Sequence, residues 1–314
     1  MKTLYGICGP TASGKSALAI EVCKRMNGEV VSCDSMALYR GMDILTAKPT
    51  ADEMQGIPHH MIGEVEPSRK FNASEFASAS EKHILEIESR GKLPVLCGGT
   101  GLYIDALTKG IRMSTAADEE VRKRLNAISE EPGGKEKLHQ MLMEADPESA
   151  RKYDENDVRR VVRSLEIYYT TGKPRSASER LDSESGNKYR AVLFALKWDR
   201  ETLYNRIDRR VDEMVSMGLI DEVRDILTKD ETYNETASQA IGYKEIKDAL
   251  EGNMSIEEAI EQVKTASRHL GKRQETWFKR DSRVNWIAAQ GRTLESIADE
   301  VADIISKDRN EYHE

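Results

Sequence analysis

Gly9-Pro10-Thr11-Ala12-Ser13-Gly14-Lys15-Ser16 satisfies G-x-x-x-x-G-K-[ST] at every fixed position. The chemistry it permits is the holding of a polyphosphate. Glycines let the backbone wrap an anion and turn its N–H groups inward. Lys15 supplies a point charge, and the Ser16 hydroxyl can hold Mg²⁺. ATP-binding and other nucleotide-binding proteins use loops of this type, so the motif marks a di- or triphosphate site without naming the ligand. A second group follows at Asp34-Ser35-Met36-Ala37 and runs on through Thr46-Ala47-Lys48-Pro49. Hydroxyls, cations and small residues mix there with neither helical nor strand period, as in a binding loop. A carboxylate at Asp34 can hold Mg²⁺ through water or serve as a base; an N-cap is the plainer alternative. A third group is Gly98-Gly99-Thr100-Gly101.

These groups need elements that bring them to one place. Thr3–Cys8, Glu29–Cys33 and Leu93–Cys97 read as short apolar strands, with helices expected over Lys15–Met26 and Ser74–Ser89. The alternation predicts an α/β fold with a parallel sheet, whose strand C-terminal ends share one edge. Each of the three groups follows one of those strands, so the edge is where ligands are expected. Together with the loop, this is a P-loop NTPase-like core, expected over 1–113 and 189–314. The segment 114–188 reads as a helical insertion, charged and carrying the breaker Pro132-Gly133-Gly134. Beyond it come a strand at Tyr189–Leu196, helices over Asp199–Lys229, Ser238–Leu250 and Ser255–Arg280, a strand at Val284–Ala288 and a last helix over Leu294–Ile305. Lys307–Glu314 is polar and expected to fray.

The chain has 314 residues, 32% of them charged, and a formal net charge of −8. No apolar run approaches the roughly 18 residues that span a bilayer, and no secretory signal precedes the first strand. Cys8, Cys23, Cys33 and Cys97 form no C-x-x-C pair, as expected of buried small hydrophobes in a cytoplasmic protein. Adjacent His59 and His60 point to no shared metal ion. The acidic total hides basic stretches. Residues 151–180 carry eight cations against five anions, with Arg159 and Arg163 on one helix face. Residues 264–280 carry six against one, next to Trp277 and Phe278, a mixture suited to single-stranded RNA. A solvated helix face and a core tryptophan are the plainer readings of the same residues.

In order along the chain stand the phosphate loop, the Asp34–Pro49 run, His59-His60-Met61, Pro94–Tyr103, Arg159-Arg160-Val161-Val162-Arg163, Gln239-Ala240-Ile241-Gly242-Tyr243 and Lys272-Arg273-Gln274-Glu275-Thr276-Trp277-Phe278. With these motifs the sequence resembles the bacterial tRNA dimethylallyltransferases over nearly its whole length. The resemblance implies transfer of a dimethylallyl group from dimethylallyl diphosphate to N6 of the adenosine 3′ of the anticodon. Asp34 is then the general base. Gly9 to Ser16 and Mg²⁺ hold the diphosphate, Thr100 sits near its bridging oxygen, and Arg210, ahead of Arg206 and Arg209, neutralises its charge. It also implies tRNA contacts at Asp34, Ser35, Met36, Ala37, Thr100, Arg122, Arg159, Arg160, Val161, Val162, Arg163, Gln239, Ala240, Ile241, Gly242, Tyr243 and Lys244, and a monomeric enzyme.

The sequence departs from the family pattern at Ala37, Leu38, Leu45 and Phe71–Ser74, near the expected acceptor site but not at Asp34, Lys48 or Thr100. Three other readings remain open at this point. A small-molecule kinase explains the loop but not the basic segments. An RNA-binding protein gated by a nucleotide leaves Asp34 and the Gly98–Thr100 loop idle. An adenylate isopentenyltransferase has no use for the arginine-bearing insertion.

Overall fold

A computed structural model of the chain describes residues 1–110, 118–184, 186–228, 233–234 and 236–312. The expected insertion boundary at 113/114 lies outside these residues. Two compact units are present, one of residues 1–108 with 189–314 and one of residues 109–188.

The first unit is built on six strands: β1 (Thr3–Cys8), β2 (Gly28–Ser32), β3 (His59–His60), β4 (Leu93–Gly98), β5 (Arg190–Lys197) and β6 (Val284–Ala288). Their order across the sheet is β3-β2-β4-β1-β5-β6 and every pairing is parallel. Alternate side chains therefore feed two cores. Leu4, Cys8, Val31, Leu96, Leu193 and Ala195 pack on one face, against the helices Ala73–Ser89, Gly101–Lys109, Leu219–Thr228 and Tyr243–Leu250. Tyr5, Ile7, Val30, Val95, Phe194 and Leu196 pack on the other, against Lys15–Met26 and Leu294–Tyr312. Strands buried on both faces read as continuous apolar runs, which is why they stood out in the sequence.

Several expectations are corrected. The helix expected over 199–229 is two helices, Arg200–Ser216 and Leu219–Thr228, because Gly218 adopts φ +102° between them. The helix expected from Ser238 starts at Tyr243, after a 3₁₀ turn at Ala237–Gln239 and Gly242 at φ +100°. The tail from Lys307 is helical through Tyr312, since Asp308 accepts hydrogen bonds from the Tyr5 hydroxyl (2.8 Å) and from Arg190 (2.7 Å). Strand β3 has too few residues to carry a periodic signal. It pairs with Val30 and Val31, and it brings His60 Nε2 to within 2.7 Å of the Glu29 carboxylate.

The second unit packs the helices Glu119–Ser129, Gly134–Ala145, Pro147–Lys152, Val158–Thr171 and Arg175–Glu184 around Leu125, Leu138, Leu142, Tyr153, Val161, Val162 and Leu165. A proline at the first position of the third helix and a hydrogen bond from Ser149 N to its N-cap, Asp146, fix where that helix begins. Among the described residues of the chain, no helix is long and apolar enough to cross a membrane.

Glu29 is buried at the start of β2 and takes hydrogen bonds or ion pairs from His60, Arg90 and Lys92. Burial alone would raise its pKa, but the bonds from Lys92, His60 and Arg90 outweigh that and bring it to about 2. An unfolded glutamate titrates near ~4.3, so its stabilisation is complete above that pH and is lost as pH falls toward the folded value. Glu29→Gln is expected to lower the unfolding free energy by about 2 kcal/mol, below the figure for a fully buried pair because the cations are partly exposed. Urea denaturation at neutral pH and near pH 3 checks this: the difference between the two proteins should shrink at the lower pH.

Candidate active site

Because β4 lies between β1 and β2, the loops that follow these three strands emerge side by side. The loop after β1 is the phosphate loop. Gly9 and Gly14 adopt φ +129° and +97°, and Ala12 is left-handed at +59°. Its carbonyl oxygens are engaged from behind: Lys15 Nζ donates to Pro10 O (3.2 Å), Arg206 Nε to Ala12 O (2.8 Å), and Trp198 Nε1 to Ser13 O (2.9 Å). The Arg206 guanidinium also lies 4.7 Å from the centre of the Trp198 ring. The first N–H groups of the helix beginning at Lys15 have no acceptor within the helix, which suits them to an anion.

The loop after β2 begins with Asp34. Its Oδ1 accepts from the backbone N–H of Met36 (2.9 Å) and of Ala37 (3.2 Å), so the carboxylate is fixed by its own loop and Oδ2 takes no part in those bonds. The loop after β4 joins it. Thr100 N donates to Cys33 O (3.1 Å), while Thr100 Oγ1 accepts from Ser35 N (3.1 Å) and donates to Ser35 Oγ (3.3 Å). A Cβ on Gly98 would stand 2.2 Å from Cys33 O, so this approach requires glycine.

The three loops surround a cavity of about 270 Å³. One part of its lining is polar: Lys15, Ser16, Asp34, Ser35, Thr100 and Arg210. Another is apolar, with Met36, Leu45, Val211, Met214, Ile241 and Leu270 among its residues. Arg210 donates to Thr11 Oγ1 (3.2 Å) and to Ala47 O (3.0 Å). Arg206 braces the phosphate loop instead, and Arg209 is exposed and pairs with Glu213. Burial pulls the pKa of Arg210 down. Burial does the same to Lys15, with the nearby Arg210 charge adding to it. Two cations thus share a desolvated pocket with Asp34. Glu222 orders the far wall by accepting from the N–H groups of Asp43, Ile44 and Leu45 (2.6–2.9 Å).

Residues 37–281 match the IPP transferase family. The chain belongs to that family. Among its curated relatives, the tRNA dimethylallyltransferase of Caldanaerobacter subterraneus subsp. tengcongensis is 43% identical over 96% of both chains. That of Geobacillus thermodenitrificans is 46% identical over 89% of this chain and 88% of its own. A solved tRNA isopentenylpyrophosphate transferase from Bacillus halodurans superposes with a TM-score of 0.74 at 40% identity, covering 99% of this chain and 98% of that one. A eukaryotic dimethylallyltransferase solved while acting on tRNA gives 0.79 at 30% identity, covering 98% and 80%. The neighbours share the P-loop-like α/β fold.

In this IPP transferase chain the residues expected at an RNA surface divide by environment. Arg159 and Arg160 are exposed, Arg160 pairing with Asp157 (2.6 Å). Arg122 and Arg163 both bond the buried carboxylate of Glu166, at 3.0 Å and 2.9 Å. Val161 and Val162 are a correction: at 0% and 4% exposure they are core residues, because the inward helix face runs 161, 162, 165. Gln239, Ala240 and Ile241 line the cavity, whereas Tyr243 stacks on Tyr233 with ring centres 6.1 Å apart, and Lys244 is exposed. The basic excess along 264–280 is smaller in space than in sequence. Arg268 and Lys264 face Asp208 and Asp212 of the neighbouring 200–216 helix, at 2.7 and 2.8 Å, and Lys279 pairs with Glu275. Trp277 is 42% exposed and lies against Gly101, where a Cβ would meet its Nε1 at 2.1 Å.

His59 and His60 turn to different partners, Ile57 O and Glu29, and His59 also lines the cavity. Among the described residues no three His, Cys, Asp or Glu side chains gather as a metal-ligand set. Spacing in the sequence did not point to Glu222, Trp198, the bracing role of Arg206 or Gln274, all of which act across the fold.

An anion entering the cavity stabilises charged Lys15 and raises its depressed pKa. Diphosphate binding is therefore expected to take up protons, and affinity to fall with rising pH from below the ordinary lysine range. Isothermal titration in buffers of different ionisation enthalpy measures that uptake, and Lys15→Met should abolish it.

Proposed function

We propose that the protein transfers a dimethylallyl group from dimethylallyl diphosphate to N6 of the adenosine 3′ of the anticodon in tRNA. The observation that carries this reading is a single cavity in which the phosphate loop, Lys15 and Arg210 face Asp34 and Thr100. An allylic diphosphate uses both parts of the lining.

An exocyclic adenine amine is a weak nucleophile because its lone pair is delocalised into the ring. In the proposed step N6 forms a bond to the allylic carbon, and the bond from that carbon to the bridging oxygen breaks. Asp34 accepts the N6 proton, and diphosphate leaves with the bonding electrons. Lys15, Arg210 and the loop N–H groups stabilise the charge as it develops. Thr100, hydrogen-bonded to Ser35, is read as lying near the bridging oxygen. The donor set also suits Mg²⁺, because Ser16 offers one hard oxygen beside the anion loop and Mg²⁺ keeps waters and substrate phosphate oxygens as its other ligands. Bound there, the ion would offset charge on the departing diphosphate. Exposed Arg159 and Arg160 are read as contacts to the RNA backbone. The enzyme is read as a monomer, and four free, buried cysteines suit a reducing cytoplasm.

The test is single-turnover transfer of radiolabelled dimethylallyl diphosphate to an unmodified anticodon stem-loop without ATP, with AMP and an adenosine-to-guanosine stem-loop alongside. Label in the adenosine stem-loop alone is expected; label in AMP would identify a nucleotide prenyltransferase instead. Asp34→Ala should cut turnover about 100-fold while tRNA affinity stays within a few-fold; equal losses in both would remove the base assignment. Arg160→Ala should weaken tRNA binding and flatten its salt dependence, read from binding constants across a salt series.

A further inference from the structure

Gln274 lies on the Ile256–Lys279 helix and reaches two of the three loops at once. Its Oε1 accepts the Thr11 N–H (2.8 Å), and its Nε2 donates to Gly99 O (3.2 Å). The amide also lines the cavity. A Cβ on Gly99 would stand 2.1 Å from Nε2, so any larger residue at 99 would push the amide out of this position. Each end of the bridge continues into the chemistry. Thr11 holds Arg210 through its hydroxyl, and Gly99 precedes Thr100, whose hydroxyl fixes the backbone of Ser35 beside Asp34. One planar amide thus spans the gap between the anion-holding groups and the base.

We infer that Gln274 is a positioning residue, setting the distance between the diphosphate leaving group and the acceptor amine. This rests on the transfer reaction proposed above. Displacement at carbon needs nucleophile, carbon and leaving oxygen in line, and a misplacement of about 1 Å can cost on the order of 100-fold in rate. Neither hydrogen bond of Gln274 is to a side chain that holds the diphosphate. Its loss should therefore act on the spacing of the two loops and leave most of the anion binding intact.

Gln274→Met keeps the length of the side chain and loses both bonds. The expected result is a fall in kcat of about 30-fold, with KM for dimethylallyl diphosphate, tRNA affinity and inhibition by diphosphate each within about threefold. A rise in KM at unchanged kcat would make Gln274 a plain substrate contact and overturn the inference. So would a kcat loss that disappears at a temperature where a lowered Tm no longer matters. A second route avoids dependence on one variant. Gly99→Ala pushes a methyl group against the Gln274 amide and should lower kcat in the same way. In a Gln274→Ala background that methyl no longer meets the amide and its remaining near neighbour is Gly9 O at 3.2 Å, so the second substitution should cost at least fivefold less than in the parent. Additive losses in this cycle would refute the bridge. Wild-type protein that labels no stem-loop would defeat the transfer reading, while diphosphate affinity by titration calorimetry and the variants' Tm would still report on the bridge itself.

Discussion

The close passage of two backbones at Gly98 and Cys33 governs the rest of the site. Strand β4 lies between β1 and β2, and its last residue leaves no space for even one methyl group beside the Cys33 carbonyl. That contact lets Thr100 reach back to the β2 loop and hold the backbone N–H of Ser35, next to Asp34. The next glycines of the run serve different neighbours: Gly99 accommodates Gln274 and Gly101 accommodates Trp277. A short glycine-rich motif therefore acts as a junction at which three separate elements converge, and each glycine has its own steric reason. None of the three is a matter of unusual backbone dihedrals.

Electrostatics impose a second constraint. Lys15 is buried and Arg210 is half-buried near it, and desolvation depresses the pKa of each. Cations left in such a place would weaken the fold without partners, and carbonyl oxygens provide them: Pro10 for Lys15, Ala47 for Arg210. These neutral acceptors hold the cations in place without cancelling their charge. The site is thus preorganised for an anion, and little rearrangement is needed when charge builds up on a leaving group.

Much of this was legible in the sequence, for definite reasons. The phosphate loop is local, so its spacing is its structure. Strands β1, β2 and β4 are buried on both faces and read as apolar runs, which placed Asp34 and Thr100 at the ends of neighbouring strands. The failures share a cause. Gln274 bonds a residue 263 positions away, and Glu29 collects cations from β3 and from the turn before β4; no local pattern encodes either. Charge counted along 264–280 overstated the basic face because the neutralising aspartates lie on another helix. Val161 and Val162 entered the expected RNA surface as part of a contiguous motif, although the helical period turns them inward. A motif records which residues occur together, whereas periodicity records where their side chains point.

The backbone N–H of Tyr189 donates to the carbonyl of Thr108 at 3.0 Å, joining the last residue before the 109–188 unit to the first residue after it. From the sheet's side, those eighty residues are an excursion whose two ends are already pinned together. The entropic cost of closing a loop grows only logarithmically with its length, and here a hydrogen bond and the pairing of β5 with β1 set the ends whatever lies between them. The inserted unit can lengthen, shorten or change its surface without disturbing the register of the strands that carry the chemistry. Such a layout lets the surface of the inserted unit evolve separately from the strand ends that line the cavity.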